Sequence, residues 1–481
     1  MINFNVCTEI VVNDMCIGCG LCVGVCPPNV LEMQFNKFGE YIPLEYKEGC
    51  LAKCDLCLRS CPFWDKNENE DALAQDIFAG IPGMLRKPET GYFLDCYVGY
   101  SKVNNQRMNG SSGGITTWLL EKLLKEGIAD RVICVTENNS PDKLYKFAIF
   151  DNIEDVRRSS RSCYYPVEMG DVFREIMRTE VRYAIVGLPC SLKGIRLAMS
   201  RNRRLRRRVV ALLGLVCGQT KSKFFTEYLA ALKGADPSNL THTRFRIKDP
   251  RRPASDFGLN FEWQSSAHQK QETIFWTEGM QKVWTHGFFK VNACNFCDDV
   301  FAEMADIAFM DAWLPEYAGD YRGHNLIINR SPWIKELIMR GVSDGELHLA
   351  SIDVSRVVES QQGVLVEKRE ALQYRLALAK QTSTWAPQKR VKPEMAGKWP
   401  ARRLWWLKNQ VRQISREVWA DGKNPDHLQK KLYWLELQIK LLEIFQGFTL
   451  VVQRGQVKEA IQRRVFYFLK RKLNLIRIHV K

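Results

Sequence analysis

The residues best suited to chemistry in this 481-residue chain are its sixteen cysteines, half of which fall between Cys16 and Cys61. They form two runs: Cys16-Ile-Gly-Cys19-Gly-Leu-Cys22-Val-Gly-Val-Cys26-Pro27, and Cys50-Leu-Ala-Lys-Cys54-Asp-Leu-Cys57-Leu-Arg-Ser-Cys61-Pro62. A cubane iron–sulfur cluster needs four thiolates at the corners of a tetrahedron. Spacings this short let one tight loop supply three of them, and the fourth cysteine, followed by proline, reaches across to the other cluster. Gly18 and Gly20 allow the first loop to curl. Cys16, Cys19 and Cys22 are therefore expected to share a 4Fe-4S cluster with Cys61, and Cys50, Cys54 and Cys57 to share another with Cys26. The first run matches the expected spacing; the second has one extra residue between Cys50 and Cys54. Structural zinc sites also use four thiolates and are the alternative, although paired zinc knuckles have no need of a repeated Cys-Pro terminator. Two clusters in one short module read as a wire for electrons.

A second set of cysteines depends on elements farther along. Residues 93–101 read as a strand. The loop Asn109-Gly110-Ser111-Ser112-Gly113-Gly114 follows, then a helix whose apolar positions Ile115, Trp118, Leu119 and Leu123 are helically spaced and which stops at Gly127. Residues 131–136 form the next strand. A Ser/Gly loop that opens a helix can bind an anion through free amides and the helix dipole. This loop lacks both the GK[ST] of a P-loop and a GxGxxG fingerprint, and a turn with a serine cap is the plain alternative. Residues 183–190 read as a buried strand ending in a tight turn at Cys190. A helix with Leu192, Ile195 and Leu197 follows, then a buried strand at 209–216 ending in Cys217-Gly218. Strand, helix and strand imply a parallel pair with a right-handed crossover. That crossover puts Cys190 and Cys217 on one sheet edge, where open α/β folds keep their sites. With Cys294-Asn-Phe-Cys297, four thiolates could hold a third cluster; separate buried cysteines or a redox dithiol at Cys294/Cys297 are the alternatives. Cys7, Cys96, Cys134 and Cys163 show no such pattern. Among the histidines only His286, near this CxxC, stands out, with a structural role as its plainer reading.

Composition bounds the rest. The chain is 46% hydrophobic, 26% charged and 11% aromatic, which excludes wholesale disorder and fibrous repeats. Its length implies roughly two to four modules. No apolar stretch is long enough to span a membrane, and the start of the chain lacks a secretion signal. The expectation is therefore a cytoplasmic location, with peripheral contact to the inner face of the membrane left open. Of the net charge of +16, most lies at the end: residues 401–481 hold 18 Lys/Arg against 6 Asp/Glu, whereas the first 400 hold 52 against 48. That tail carries two apolar stripes, Leu404, Leu407, Val411, Ile414 and Val418, and Leu428, Leu432, Leu435, Ile439 and Leu442, and closes on a basic, aromatic stretch at 463–472. Such helices suit an anionic membrane surface, a partner subunit or the protein's own body. No nucleic-acid motif accompanies the charge. Six arginines within 201–208 could dock an acidic partner or an anionic cofactor tail, or be a solvated connection. The expected organisation is a two-cluster module at 1–66, a linker at 67–92, an α/β body at 93–176 and 177–345, a connector at 346–400 and the basic helical tail at 401–481. The fold class is α/β, with an α+β N-terminal module and a mixed or parallel sheet in the body.

Taken in order, the double cysteine run, NGSSGG (109–114), SCYYPV (162–167), GLPC (187–190), LVCGQ (215–219) and CNFCDDVFAEMADIAFMDAW (294–313) resemble the family of coenzyme F-420 hydrogenase/dehydrogenase beta subunits with an N-terminal ferredoxin module. The resemblance covers residues 1–345. It implies bound FAD, with Asn109, Gly110, Ser111, Ser112, Gly113 and Gly114 at the cofactor and Ser162 and Tyr164 lining its pocket. It also implies a 4Fe-4S cluster on Cys190, Cys217, Cys294 and Cys297, with Asp306, Asp311 and Trp313 closing the site. Tyr164, His286 and Asp311 are the acid/base candidates. The chain departs from the family at Cys163, where a lysine is common, at Ser191, where glutamine is frequent, and along Phe245-Arg246-Ile247-Lys248, which only partly matches a basic strand. The implied function is an FAD- and 4Fe-4S-dependent oxidoreductase moving electrons between a ferredoxin or another redox protein and a small organic substrate. The alternatives are an electron-transfer subunit of a larger complex, a member serving polysaccharide biosynthesis without F-420 chemistry, and an interaction protein with degenerate clusters.

Overall fold

The computed structural model describes residues 4–51, 53–140, 142–265 and 268–453. The basic stretch at 463–472, with Phe466, Tyr467 and Phe468, lies outside the described residues.

The body is organised on an eight-stranded sheet. Strand β1 (Asp95–Ser101) is followed by a hairpin of β2 (Arg131–Ser140) and β3 (Lys143–Phe150), and then by β4 (Tyr183–Gly187) and β5 (Val209–Leu215). A separate three-stranded meander, β6 (Leu240–Ile247), β7 (Gly258–Ser265) and β8 (His268–Phe275), interrupts the chain before β9 (Ile307–Asp311), β10 (Asn325–Asn329) and β11 (Leu347–Ser351). The spatial order is β11-β1-β10-β9-β5-β4-β2-β3. The four central strands β9, β5, β4 and β2 run parallel, and their outer neighbours pair antiparallel. The continuous apolar runs of β4 and β5 explain their central place, because a parallel core strand is buried on both faces. Ala184, Val186, Leu213 and Ile307 face helix α1 (Ile115–Lys125), whose Trp118, Leu119 and Leu123 cover that side. The alternate residues Ile185, Leu212 and Ala308 pack against helix α2 (Pro189–Arg201) through Leu192, Ile195 and Leu197. This is the period of two expected of strand side chains.

β4 ends at Gly187 and α2 already begins at Pro189. Cys190 therefore sits in the first turn of a helix rather than in a turn after a strand, because proline at the start of a helix costs no hydrogen bond. The stretch read as a linker is also structured: helix Glu70–Phe78 sends Leu73, Ala74 and Phe78 into the main core.

The N-terminal module pairs strands Leu31–Phe35 and Tyr41–Glu45 and places one short helix after each cysteine loop, Leu21–Gly24 and Leu56–Arg59. It is pressed onto the body without room for a methyl group at the seam. A Cβ on Gly24 would lie 2.7 Å from Phe173 Cβ, and one on Gly194 would lie 2.4 Å from Leu21 Cδ1 and 2.8 Å from the Ser60 carbonyl.

The C-terminal stripes find a home on the body. In the connector, helix α3 (Gln362–Lys368) precedes α4 (Trp399–Gly422) and α5 (Pro425–Gln453). Leu404, Leu407, Val411 and Trp419, with Leu428, Leu432 and Ile439, bury among Tyr228, Phe288, Phe289 and the meander's Leu259 and Phe261. Arg416 of α4 also reaches Asp14 of the N-terminal module at 3.0 Å, so the helix straps module and body together. Trp434 and Tyr433 remain on the outside of α5. Among the described residues no helix is long and apolar enough to cross a membrane. The arginine-rich stretch forms a short helix, Arg203–Arg208, mostly solvated, although Arg208 turns inward to the Ile176 and Met177 carbonyls at 2.9 and 2.8 Å.

Candidate metal and cofactor site

The fold brings several of the candidate thiols near one another. Burial first, and then neighbouring thiols, raises Cys16 and Cys22: Cys16 senses Cys19 and Cys61, and Cys22 senses Cys19, Cys16 and Cys61. Cys50 and Cys57 each sense Cys26 and Cys54. Gly18 and Gly20 take left-handed backbone at φ 74° and 80°, the curl the first loop needs. The candidate thiols of the third set also lie near one another. Cys190 is raised by burial and then by Cys297, Cys217, Cys19 and Cys294, so this group borders the first N-terminal one. Cys61, Cys190, Cys294 and Cys297 pack around the same small cluster as Phe63.

Two donors already point at sulfur in the third group: the Thr220 amide at 3.1 Å from Cys294 Sγ, and Lys368 Nζ at 3.0 Å from Cys297 Sγ. Burial pushes the Cys57 and Cys217 thiols up to about 12. A thiolate at such a position needs a bound cation to stay deprotonated. All-thiolate donor sets in buried, amide-rimmed pockets fit iron–sulfur clusters. Among the described residues no group of three or more His, Cys, Asp or Glu side chains is arranged to hold a metal ion.

A cavity of about 550 Å³ opens at the carboxyl ends of the parallel strands. Cys19, Cys190 and Cys217 border it, as do Gly110, Ser111, Ser112 and Gly114 of the Ser/Gly loop and Ser162, Cys163 and Tyr164. An aromatic end is built from Phe257, Trp276, Trp284 and Trp313; Tyr164 and Trp284 have their ring centres 4.8 Å apart.

The residue that organises this cavity is Arg246. A bulge between Phe245 and Ile247 disrupts the β6–β7 register, and Arg246 takes φ 60°. Bulges re-aim side chains, and this one sends the guanidinium inward. Its two Nη atoms lie 3.0 and 2.5 Å from the two oxygens of Asp311; it also donates to Tyr164 Oη at 3.1 Å and to the Ser111 carbonyl at 3.0 Å. Burial alone would weaken its charge, but Asp311 and Tyr164 more than restore it. Burial likewise raises Tyr164, which keeps its proton. Lys248 donates to the Ser112 and Arg322 carbonyls at 2.9 and 2.7 Å and to that of Arg107, fastening the loop from below; burial, then Arg246, lowers it to about 7.

The hydroxyls of the Ser/Gly loop are engaged within the wall itself. Ser111 Oγ accepts from the Ser162 amide at 2.7 Å, and Ser112 Oγ donates to the His324 carbonyl at 2.5 Å. The Ile115 amide donates to Asn325 Oδ1 at 3.2 Å, and the helix cap is Gly114 with no side-chain bond. The two hydroxyls thus brace the wall, and the helix cap is a glycine rather than a serine. Asn109 and Gly113 stand off the wall: the Asn109 carbonyl takes Arg161 Nε at 3.0 Å, and a Cβ on Gly113 would lie 2.5 Å from the Gly99 carbonyl. Two guanidinium nitrogens can also meet an anion, since Arg161 Nη1 and Arg246 Nε are buried without a partner. A cavity of this size, apolar at one end and with orphaned guanidinium nitrogens in its lining, fits a ring-and-phosphate cofactor such as FAD.

Of the acid/base candidates, Tyr164 and Asp311 meet on Arg246, and His286 lies elsewhere. Its Nε2 faces Glu443 of α5 at 3.7 Å, because the C-terminal helices cover that side of the body. Asp306 holds Arg196 and the Leu212 amide, each at 2.7 Å, and stays behind the sheet edge, whereas Trp313 does line the cavity. Sequence reasoning gave no role to Arg161, Trp276, Trp284 or Lys368, and met Arg246 and Lys248 only as a partial match to the family's basic strand. The only local signal was the alternation of basic and apolar residues along 245–248.

Comparison with known proteins identifies the family. Residues 96–174 and 181–355 match the N-terminal and C-terminal parts of the family described as coenzyme F420 hydrogenase/dehydrogenase, beta subunit, and residues 15–64 match a 4Fe-4S dicluster domain. The chain is 24% identical over 220 residues to one of the subunits of the F(420)H(2) dehydrogenase of Methanosarcina mazei, covering 44% of this chain and 55% of that one. It is 23% identical over 384 residues to coenzyme F420-dependent sulfite reductase of Methanocaldococcus jannaschii, covering 76% of this chain and 49% of that one. The chain thus spans about half the length of the curated relatives it matches. A chain of the F420-reducing [NiFe] hydrogenase complex from Methanosarcina barkeri superposes with a TM-score of 0.48 at 17% identity, covering 64% of this chain and 99% of that one. With both parts of one family matched in order behind a dicluster module, the chain belongs to the family of coenzyme F420 hydrogenase/dehydrogenase beta subunits.

Proposed function

We propose that the chain is an iron–sulfur flavoprotein oxidoreductase that moves electrons between a ferredoxin-like or other redox protein and a small organic substrate. The observation that carries this reading is the position of the cavity, which touches Cys19 of one thiol group and Cys190 and Cys217 of another beside the Ser/Gly loop. When bound, the clusters supply single-electron transfer and FAD supplies exchange between single electrons and a hydride.

The chain's own residues do the holding. Arg161 Nη1 and Arg246 Nε are placed to meet phosphate, the four-ring aromatic end shields a planar group from water, and Thr220 and Lys368 donate to sulfur. Tyr164 keeps its proton, and both oxygens of Asp311 are held by Arg246, so these two orient substrate rather than exchange protons with it. The names of the relatives make F420 one candidate substrate; a substrate from polysaccharide biosynthesis is another. The outer face of α5, with Tyr433 and Trp434 exposed, is the place for a partner subunit or an anionic membrane surface.

The second reading, an electron-transfer subunit without its own substrate, is favoured by the relative that is itself named a subunit. Protein purified without oxygen should show flavin absorbance and release FAD on denaturation; protein free of FAD overturns the oxidoreductase reading. If FAD is present but no organic acceptor, F420 included, reoxidises the reduced protein, the electron-transfer reading replaces it.

A further inference from the structure

Lys368 closes α3 in the connector, beyond residue 355, where the family match ends. The side chain is buried, with the whole residue 2% exposed, and its ammonium has two partners, Cys297 Sγ at 3.0 Å and the Asp299 carbonyl at 2.9 Å. The position is fixed by its neighbours. Glu367 is held by Lys290 at 3.1 Å and by Arg375, and Leu365 is buried in the main core. By contrast, Cys16 in the N-terminal module is approached by a backbone amide, Gly18 N at 3.4 Å. Among the described residues Lys368 is the charged side chain that hydrogen-bonds a candidate ligand sulfur.

From this juxtaposition we infer that Lys368 is a positioning residue that sets the redox potential of the Cys190/Cys217/Cys294/Cys297 site, holding it above the potential it would have without the ammonium. The inference rests on the third cluster proposed above. Reduction adds one electron, and hence one negative charge, to a cluster whose ligands are already anionic. A fixed positive charge hydrogen-bonded to one ligand in a dry setting stabilises the reduced form more than the oxidised one. The site beside the cavity then draws electrons arriving from the N-terminal module, and a segment outside the family match sets how strongly.

The test is a redox titration of the full chain followed by electron paramagnetic resonance, comparing the unaltered protein with Lys368→Met, Lys368→Gln and Lys368→Arg. The Met and Gln variants should lower the reduction equilibrium of one cluster about tenfold, which is about 59 mV for one electron. They should leave the other two signals in place, and Arg should restore most of the shift. Iron should stay close to twelve per chain, as about three cubanes require. If Lys368→Met sheds iron, Lys368→Gln, which keeps a donor without the charge, is read in its place. Three clusters with unmoved potentials overturn the inference alone. About eight irons in the unaltered protein remove the third cluster, and the inference falls with it.

Discussion

At His324 the loop that walls the cavity depends on a neutral ring. Arg107 Nη2 lies 3.4 and 3.3 Å from the two ring nitrogens, and Arg107 also pairs with Asp320 at 2.9 Å and stacks over Tyr100. Burial first, and then Arg107, lowers His324 from 6.5 to about 4. The unfolded chain therefore takes up this proton before the folded one as the pH falls. The stability that the neutral ring contributes is complete above about pH 6.5 and is lost as the pH falls toward about 4. Thermal unfolding at pH 7 and pH 5 should accordingly show a smaller acid-induced loss in His324→Gln than in the unaltered protein; equal losses would refute the assignment. This ring was not legible in advance, and Arg246 stood out only within a partial match to a basic strand, for one physical reason. Each gets its role from a residue far away in sequence, Arg107 and Asp311 respectively, and Arg246 reaches Asp311 only because a bulge turns it inward. The cysteine runs could be read because three ligands of each N-terminal set lie within one short loop.

Whole elements were more legible than their destinations. The spacing of Leu404, Leu407 and Val411, and of Leu428, Leu432 and Ile439, announces helices with one apolar face, but nothing local says what that face will meet. It meets the body, and α4 carries the contact with Trp419, which is fully buried, donates Nε1 to Glu227 at 3.2 Å and packs edge-on to Tyr228. Trp419→Ala should cost about 3–5 kcal/mol of stability, the usual penalty for emptying a large aromatic site. Trp434→Ala on the exposed side of α5 should stay within about 0.5 kcal/mol. Matched thermal melts of the two variants would separate a docked α4 from one that merely lies on the surface. The strand–helix–strand unit around Cys190 was legible because a continuous apolar run has few places to go, although proline moved the helix start onto the cysteine itself.

At the scale of the whole molecule, the connector and tail are working parts of the body. Lys368 reaches the third thiol group, and Arg416 ties α4 to the N-terminal module. Residues from four of the six expected parts, Cys19, Ser111, Cys190 and Val364 among them, line one cavity. The glycine-lined seam between N-terminal module and body carries a consequence for rate. With Phe173 packed on Gly24 and Leu21 on Gly194, a seam this tight should hold the spacing from one carrier to the next fixed in the folded protein. Flash-triggered transit inside the protein should keep its speed in glycerol-thickened solvent, while only the encounter with an outside carrier slows down. A rate that falls with solvent viscosity even within the isolated chain would mean the joint is a hinge after all.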